Sequence, residues 1–177
     1  ACGRECQSLK NRIAATLGIG KVETRVDRES RLAIRKHHTA THLLHMALRQ
    51  VLGPHATQKG SRVGPDGLRF DFTHFEPLSR AQKAKIEELV AKKVRENFPV
   101  TTDELSFAEA KERGAMALFG EKYGDKVRMV GVSEESRELC GGTHAAMSGE
   151  IGDFFIVGET GIAAGVRRIE AVTGQGA

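Results

Sequence analysis

Between Arg31 and about Leu52 apolar residues recur at helical spacing, through Leu43, Leu44, Ala47, Leu48 and Val51, and Gly53-Pro54 stops the pattern. The segment is read as one long amphipathic helix, and the rest of the chain must supply a surface that covers its apolar stripe. A different period follows. In Leu68-Arg69-Phe70-Asp71-Phe72-Thr73, the residues Leu68, Phe70 and Phe72 share one face and Arg69, Asp71 and Thr73 the other. That is a strand with one face toward a core and one toward solvent or a ligand.

The remaining signals alternate between these two periods. Ser79 with Gln82 has capping-box spacing ahead of a stripe of Ile86, Leu89, Val90 and Val94, and Pro99 closes this second helix. Ser106 with Glu109 repeats the spacing and predicts a shorter helix to about Ala117. Residues 127–132, 154–158 and 166–172 read as strands, the last with Arg167, Ile169 and Ala171 on one face. The expectation is an α+β fold in two layers, a largely antiparallel sheet with the long helix packed across it. Residues 1–30, with a turn at Gly18-Ile19-Gly20 and an alternation of Val22, Thr24 and Val26, are expected to be a partial flank; 31–177 are expected to be the domain. The chain begins with Ala rather than Met and is read as a piece of a longer protein.

At 177 residues the chain suits one well-buried core, which usually occupies about 100 to 200 residues. It is 40% hydrophobic and 28% charged, with no stretch near the roughly 20 apolar residues that cross a bilayer and no secretory-signal pattern at its start. A cytoplasmic location is therefore expected. The net charge of +4 permits a polyanionic partner. Three cysteines, Cys2, Cys6 and the distant Cys140, suggest no disulfide framework, which leaves a metal ligand or a thiol as the reading of Cys140. Cys2 and Cys6 are read as inert thiols.

The chemistry concentrates in two short motifs. His38-Thr39-Ala40-Thr41-His42 places two imidazoles four residues apart on one helical face, where they can point at a common ion. His37 and His45 flank them, so chance pairing is an alternative. Cys140-Gly141-Gly142-Thr143-His144 adds a thiol and an imidazole on a turn that its glycines allow to fold tightly. Taken singly, Cys140 reads as a small buried hydrophobe and His144 as a turn residue. Together the four form a nitrogen and sulfur set suited to Zn2+. Four protein ligands ordinarily mark a structural zinc, whereas catalysis needs an open position. The helix also lacks the glutamate of a metalloprotease HExxH motif, so proton transfers would come from elsewhere.

Several segments in order, HTATHLLH at 38–45, LRFDF at 68–72, GAMALFGEKYGDKVR at 114–128, ELCGGTH at 138–144 and GIAAGVRRIEAVTG at 161–174, resemble the editing domain of alanyl-tRNA synthetase, from about Arg31 to Gly174. The resemblance implies zinc ligation by His38, His42, Cys140 and His144. It implies a zinc-dependent aminoacyl-tRNA deacylase that removes Ser or Gly from tRNA(Ala), within a synthetase whose other domains are partners. No aminoacylation by this chain alone is expected, since nothing in it looks like an ATP-binding site. Thr41 and Gln58 match positions around the family's pocket and are candidate readers of the serine hydroxyl; alternatively Thr41 bonds the helix backbone and Gln58 is an exposed loop residue. Arg69, Arg167, Arg168, Lys83, Lys85, Lys92 and Lys93 are candidate phosphate contacts, or solvated charges. Three other readings stay open. One is a free-standing trans-editing deacylase; another is the related threonyl-tRNA synthetase editing domain, whose pattern is less like CGGTH followed by AAGVRRIEAVTG; the third is a non-catalytic tRNA-binding module with a structural zinc.

Overall fold

The computed structural model describes residues 25–116 and 124–174. Helix α1 spans Arg28–Leu52. It begins three residues before the periodic pattern because Asp27 caps it, its carboxylate accepting from the Ser30 N–H at 2.7 Å. The polar first turn carries no apolar signal of its own. The helix ends at Gly53, whose φ of 110° favours glycine and whose N–H reaches the Arg49 carbonyl. Leu43, Leu44, Ala47 and Leu48 are wholly buried.

Strands β1 (Gln58–Val63) and β2 (Leu68–Thr73) form a hairpin, and helix α2 (Arg80–Glu96) follows with the Ser79 and Gln82 capping box in place. Next come β3 (Thr101–Ser106), the short α3 (Phe107–Glu112), β4 (Lys126–Ser133) and β5 (Ser136–Leu139). A 3-10 turn at Ser148–Ile151 leads into β6 (Phe154–Ala163) and β7 (Val166–Thr173). No helix among the described residues is long and apolar enough to cross a membrane. Cys2, Cys6, the Gly18–Gly20 turn, Val22, Thr24 and Ala117 lie outside the described residues. Val26 is exposed and outside any strand.

The fold is α+β and all pairings between these strands are antiparallel, but they form two sheets rather than one. The first has the order β1-β2-β7-β6 and the second β3-β4-β5. The single-sheet expectation fails because β1, β3 and β5 are short and polar, reading QKGSRV, TTDELS and SREL. All three are edge strands with little apolar surface to bury, so the period-2 signal is faint. Ser106 both ends β3 and caps α3, whose six residues stop well short of the length its capping box suggested.

Helix α1 touches both sheets and packs along α2. Leu68, Phe70, Phe72, Ile169 and Ala171 turn the first sheet's buried face into the main core with α1, Ile86 and Val90. The polar residues of β2 take the other face. A smaller cluster of Ala110, Val127, Met129 and Leu139 joins α3 to the second sheet. The edge strand β6 has its Ile156 N–H bonded by the Glu87 carboxylate of α2 at 2.7 Å, which occupies part of an otherwise open edge. The result is a long helix held from two sides, with the segment after β5 free to cross its middle.

Candidate metal centre

That segment carries Cys140 and His144, and it crosses α1 at His38 and His42. The four potential ligand atoms lie within 4.8 Å of one another. Cys140 Sγ is 3.4 Å from His38 Nε2 and 3.4 Å from His144 Nε2, and the three imidazole centroids are 4.2 to 5.5 Å apart. His42 and His144 are buried, whereas His38 and Cys140 are only half-buried, so the cluster opens to the surface on their side.

The close approach depends on Gly142. A Cβ at this position would lie 1.9 Å from Cε1 of His38, so any larger residue collides with a ligand ring. The turn is also tied down by groups outside it. Arg128 of β4 donates through Nη1 to the carbonyls of Cys140 at 2.9 Å and Gly142 at 2.7 Å, and its own carbonyl accepts the Cys140 N–H at 2.9 Å. On the helix side, Arg35 donates to the His144 carbonyl and Thr39 Oγ accepts the Ala145 N–H at 3.0 Å. Two elements therefore clamp the two ends of one ligand-bearing turn.

Glu138, near the end of β5, is the residue that reasoning from the sequence missed. Its buried carboxylate accepts from Nδ1 of His42 at 2.7 Å and from Nδ1 of His45 at 2.8 Å. A signal was present: Glu138 lies two residues before Cys140, the spacing that places side chains on one face of an extended chain. With both oxygens engaged it is an orienting group rather than a free base. Burial disfavours charge on either partner, yet the pair's own attraction raises the His42 value and holds the Glu138 carboxyl below its ordinary range.

Cys140 and His144 are held in forms able to bind a metal. Burial alone would raise the Cys140 thiol, but hydrogen bonds from His144 and His38, together with the nearby His42 charge, bring it down to about 3. Burial pushes His144 down to about 4, so it is a neutral imidazole at pH 7. His42 Nε2 is buried with no hydrogen-bond partner. A buried polar nitrogen without a partner is costly, and a metal held among three nitrogens and one sulfur would satisfy it. The residues fit a zinc ion, which His38, His42, Cys140 and His144 would hold.

The other candidates are placed as follows. Thr41 is buried on α1 and donates to the His37 carbonyl at 2.8 Å, and half-buried Gln58 at the start of β1 donates to Ser61 Oγ at 3.2 Å. Neither is hydrogen-bonded to the four-residue cluster. His37 donates through Nδ1 to the Gly64 carbonyl and accepts the Thr173 N–H at Nε2, which ties α1 to the rim of the first sheet. Among the basic residues, Arg168 makes a two-pronged pair with Asp71 at 2.7 and 2.9 Å, and Arg167 pairs with Glu159. Arg69 Nε lies 3.9 Å from Asp71. Lys85, Lys92 and Lys93 pair with Glu88, Glu96 and Glu135 respectively, and Lys83 lines a cleft between α2 and β6.

Fold and cluster together define a class: an α+β domain in which a helix and a glycine-rich turn present three imidazoles and a thiolate beside the surface. Residues 127–170 match the model of the threonyl and alanyl tRNA synthetase second additional domain. The chain is 56% identical over 160 residues to the alanine–tRNA ligase of Halorhodospira halophila (strain DSM 244 / SL1), covering 90% of this chain and 18% of that protein. It is 59% identical over 162 residues to the alanine–tRNA ligase of Sorangium cellulosum (strain So ce56), covering 91% of this chain and 18% of that one. The chain is thus similar to this domain family over residues 127–170 and to alanine–tRNA ligases over about nine-tenths of its own length. It spans about a fifth of the length of these curated relatives.

Proposed function

We propose that this chain is the editing portion of an alanine–tRNA ligase, a zinc-dependent esterase that hydrolyses the bond joining serine or glycine to tRNA(Ala) in the cytoplasm. The observation that carries the reading is the convergence of His38, His42, Cys140 and His144 within 4.8 Å, with His42 Nε2 buried and unpartnered. The similarity to two alanine–tRNA ligases supports tRNA(Ala) as the RNA of the substrate. A pocket built for alanine discriminates against serine or glycine by only about 1 to 3 kcal/mol, so a second site must remove the errors. When bound, zinc supplies positive charge that can polarise an ester carbonyl or lower the pKa of water.

The chain's own residues supply position and selectivity. Glu138 orients His42, Arg128 and Arg35 hold the turn, and the half-exposed side of the cluster at His38 and Cys140 is the approach for the acylated tRNA end. Thr41 and Gln58 are the proposed readers of the serine hydroxyl; each holds a hydroxyl or amide that can exchange its present local bond for one to substrate. Lys83 and Arg69 are proposed to meet tRNA phosphates, and the other domains of the synthetase to hold the rest of the tRNA.

The test is the deacylation rate of Ser-tRNA(Ala) and Gly-tRNA(Ala) against Ala-tRNA(Ala), with and without a chelator. Selective loss of serine and glycine that stops on chelation is expected. Cys140→Ala and His42→Ala should each lower zinc content and deacylation together; full activity in a zinc-free variant would overturn the site. A second reading, a tRNA-binding module with a structural zinc, draws on the four candidate protein ligands, which could by themselves complete the four-coordinate set usual for a structural zinc. Zinc retention and tRNA binding without turnover would favour it.

A further inference from the structure

His45 is the third histidine of the HTATHLLH segment, and the editing chemistry leaves it without a task. It lies 4% exposed, its ring 5.2 Å from that of Phe70, and its Nε2 is buried with no hydrogen-bond partner. A histidine kept in a hydrophobic core at this cost needs a compensating role for its other nitrogen. That nitrogen, Nδ1, is 2.8 Å from Oε1 of Glu138, while Oε2 of the same carboxylate is 2.7 Å from Nδ1 of His42. A carboxylate only accepts hydrogen bonds, so both rings must donate from Nδ1. The Nε2 of His42 is then the nitrogen left to face His38, Cys140 and His144.

We infer that His45 and Glu138 are positioning residues for the metal centre, His45 bracing the carboxylate that fixes the tautomer and orientation of His42. The inference rests on the metal reading of the cluster. Glu138 reaches across from the second sheet to a helix that also packs on the first. With a single histidine partner, one oxygen of a nearly buried carboxylate would be left unsatisfied, and the group would turn toward any other donor. The second imidazole removes that freedom. Carboxylate partners of ligating histidines commonly matter to metal affinity by about 10- to 100-fold. Here the partner is itself held by a residue three positions from the ligand on the same helix, so the brace and the ligand are set by one rigid element.

The experiment is a Co2+ and Zn2+ titration of the 177-residue chain and its variants against a competing chelator, read by the sulfur-to-cobalt charge-transfer band and accompanied by the melting temperature of the metal-free proteins. His45→Leu fills the buried site with an apolar side chain but cannot donate. His45→Asn places an amide nitrogen near the position of Nδ1 and can. The expected order is parent, then H45N within a few-fold, with H45L and Glu138→Gln weaker by about 10- to 100-fold. Were His45 only a packing residue, the order of H45L and H45N would invert. Parent-like affinity in H45L or E138Q, or equal weakening in H45N and H45L, overturns the inference. If H45L melts too low to assay, the nearly isosteric E138Q decides. Failure of the parent itself to develop the sulfur-to-cobalt band would overturn the metal reading, a result distinct from failure of the brace.

Discussion

At the scale of single residues, the centre depends on two that bind nothing. Gly142 is there because its missing side chain leaves room for the His38 ring. Gly142→Ala should therefore displace either that ring or the turn, and zinc affinity should fall at least about tenfold, measured by chelator competition. Arg128 holds three hydrogen bonds around the Cys140–Gly142 backbone. Arg128→Met keeps much of the aliphatic stem but removes the donors, freeing two carbonyls. It should reduce metal affinity by about 10- to 100-fold, and the same titration checks it. An unchanged affinity in both variants would mean that the ligand geometry is set by the ligands alone.

Among the elements, the first sheet owes part of its register to one partly buried cross-strand pair. Asp71 of β2 lies opposite Arg168 of β7, and the guanidinium grips both carboxylate oxygens. Arg168 was a candidate phosphate contact, and this grip commits its charge within the sheet. Asp71→Asn retains the size and loses the charge, so unfolding in urea should show a loss of about 1 to 2 kcal/mol, the lower end if water takes over the half-exposed guanidinium. The same pairing explains why the polar face of β2 is not simply wet: Asp71 is 7% exposed although it faces away from the core. A larger loss would indicate that the strand register itself had slipped.

For the whole molecule, the proposed metal centre would be a fastener between distant stretches of chain. His38 and His42 belong to the helix that fills the main core, and Cys140 and His144 to a turn that leaves the second sheet. An ion bound there stabilises only the folded arrangement, because the unfolded chain does not bring the four side chains together. Free zinc at a hundredfold excess over its dissociation constant should add about 2.7 kcal/mol, or roughly 5 to 10 °C in melting temperature for a domain of this size. Thermal melts with zinc and with chelator check this. Identical melts would show that no ion bridges the two parts.

The local pattern of residues determined a good deal: the long helix, the β2 and β7 strands with their buried faces, and both capping boxes. These are properties of neighbours in sequence, where period and cap chemistry act within a turn or two. The quartet His38, His42, Cys140 and His144 was nominated by residue type and spacing, which record the demands of a nitrogen and sulfur site. What the tertiary structure alone decided is of another kind. The split into two sheets rests on polar edge strands that acquire their conformation from a neighbour rather than from their own sequence. The pairing of Glu138 with His42 and His45 joins residues more than ninety positions apart, and the commitment of Arg168 to Asp71 does the same. Charges and hydrogen-bond donors are promiscuous along a chain, and only packing determines which partner each one meets.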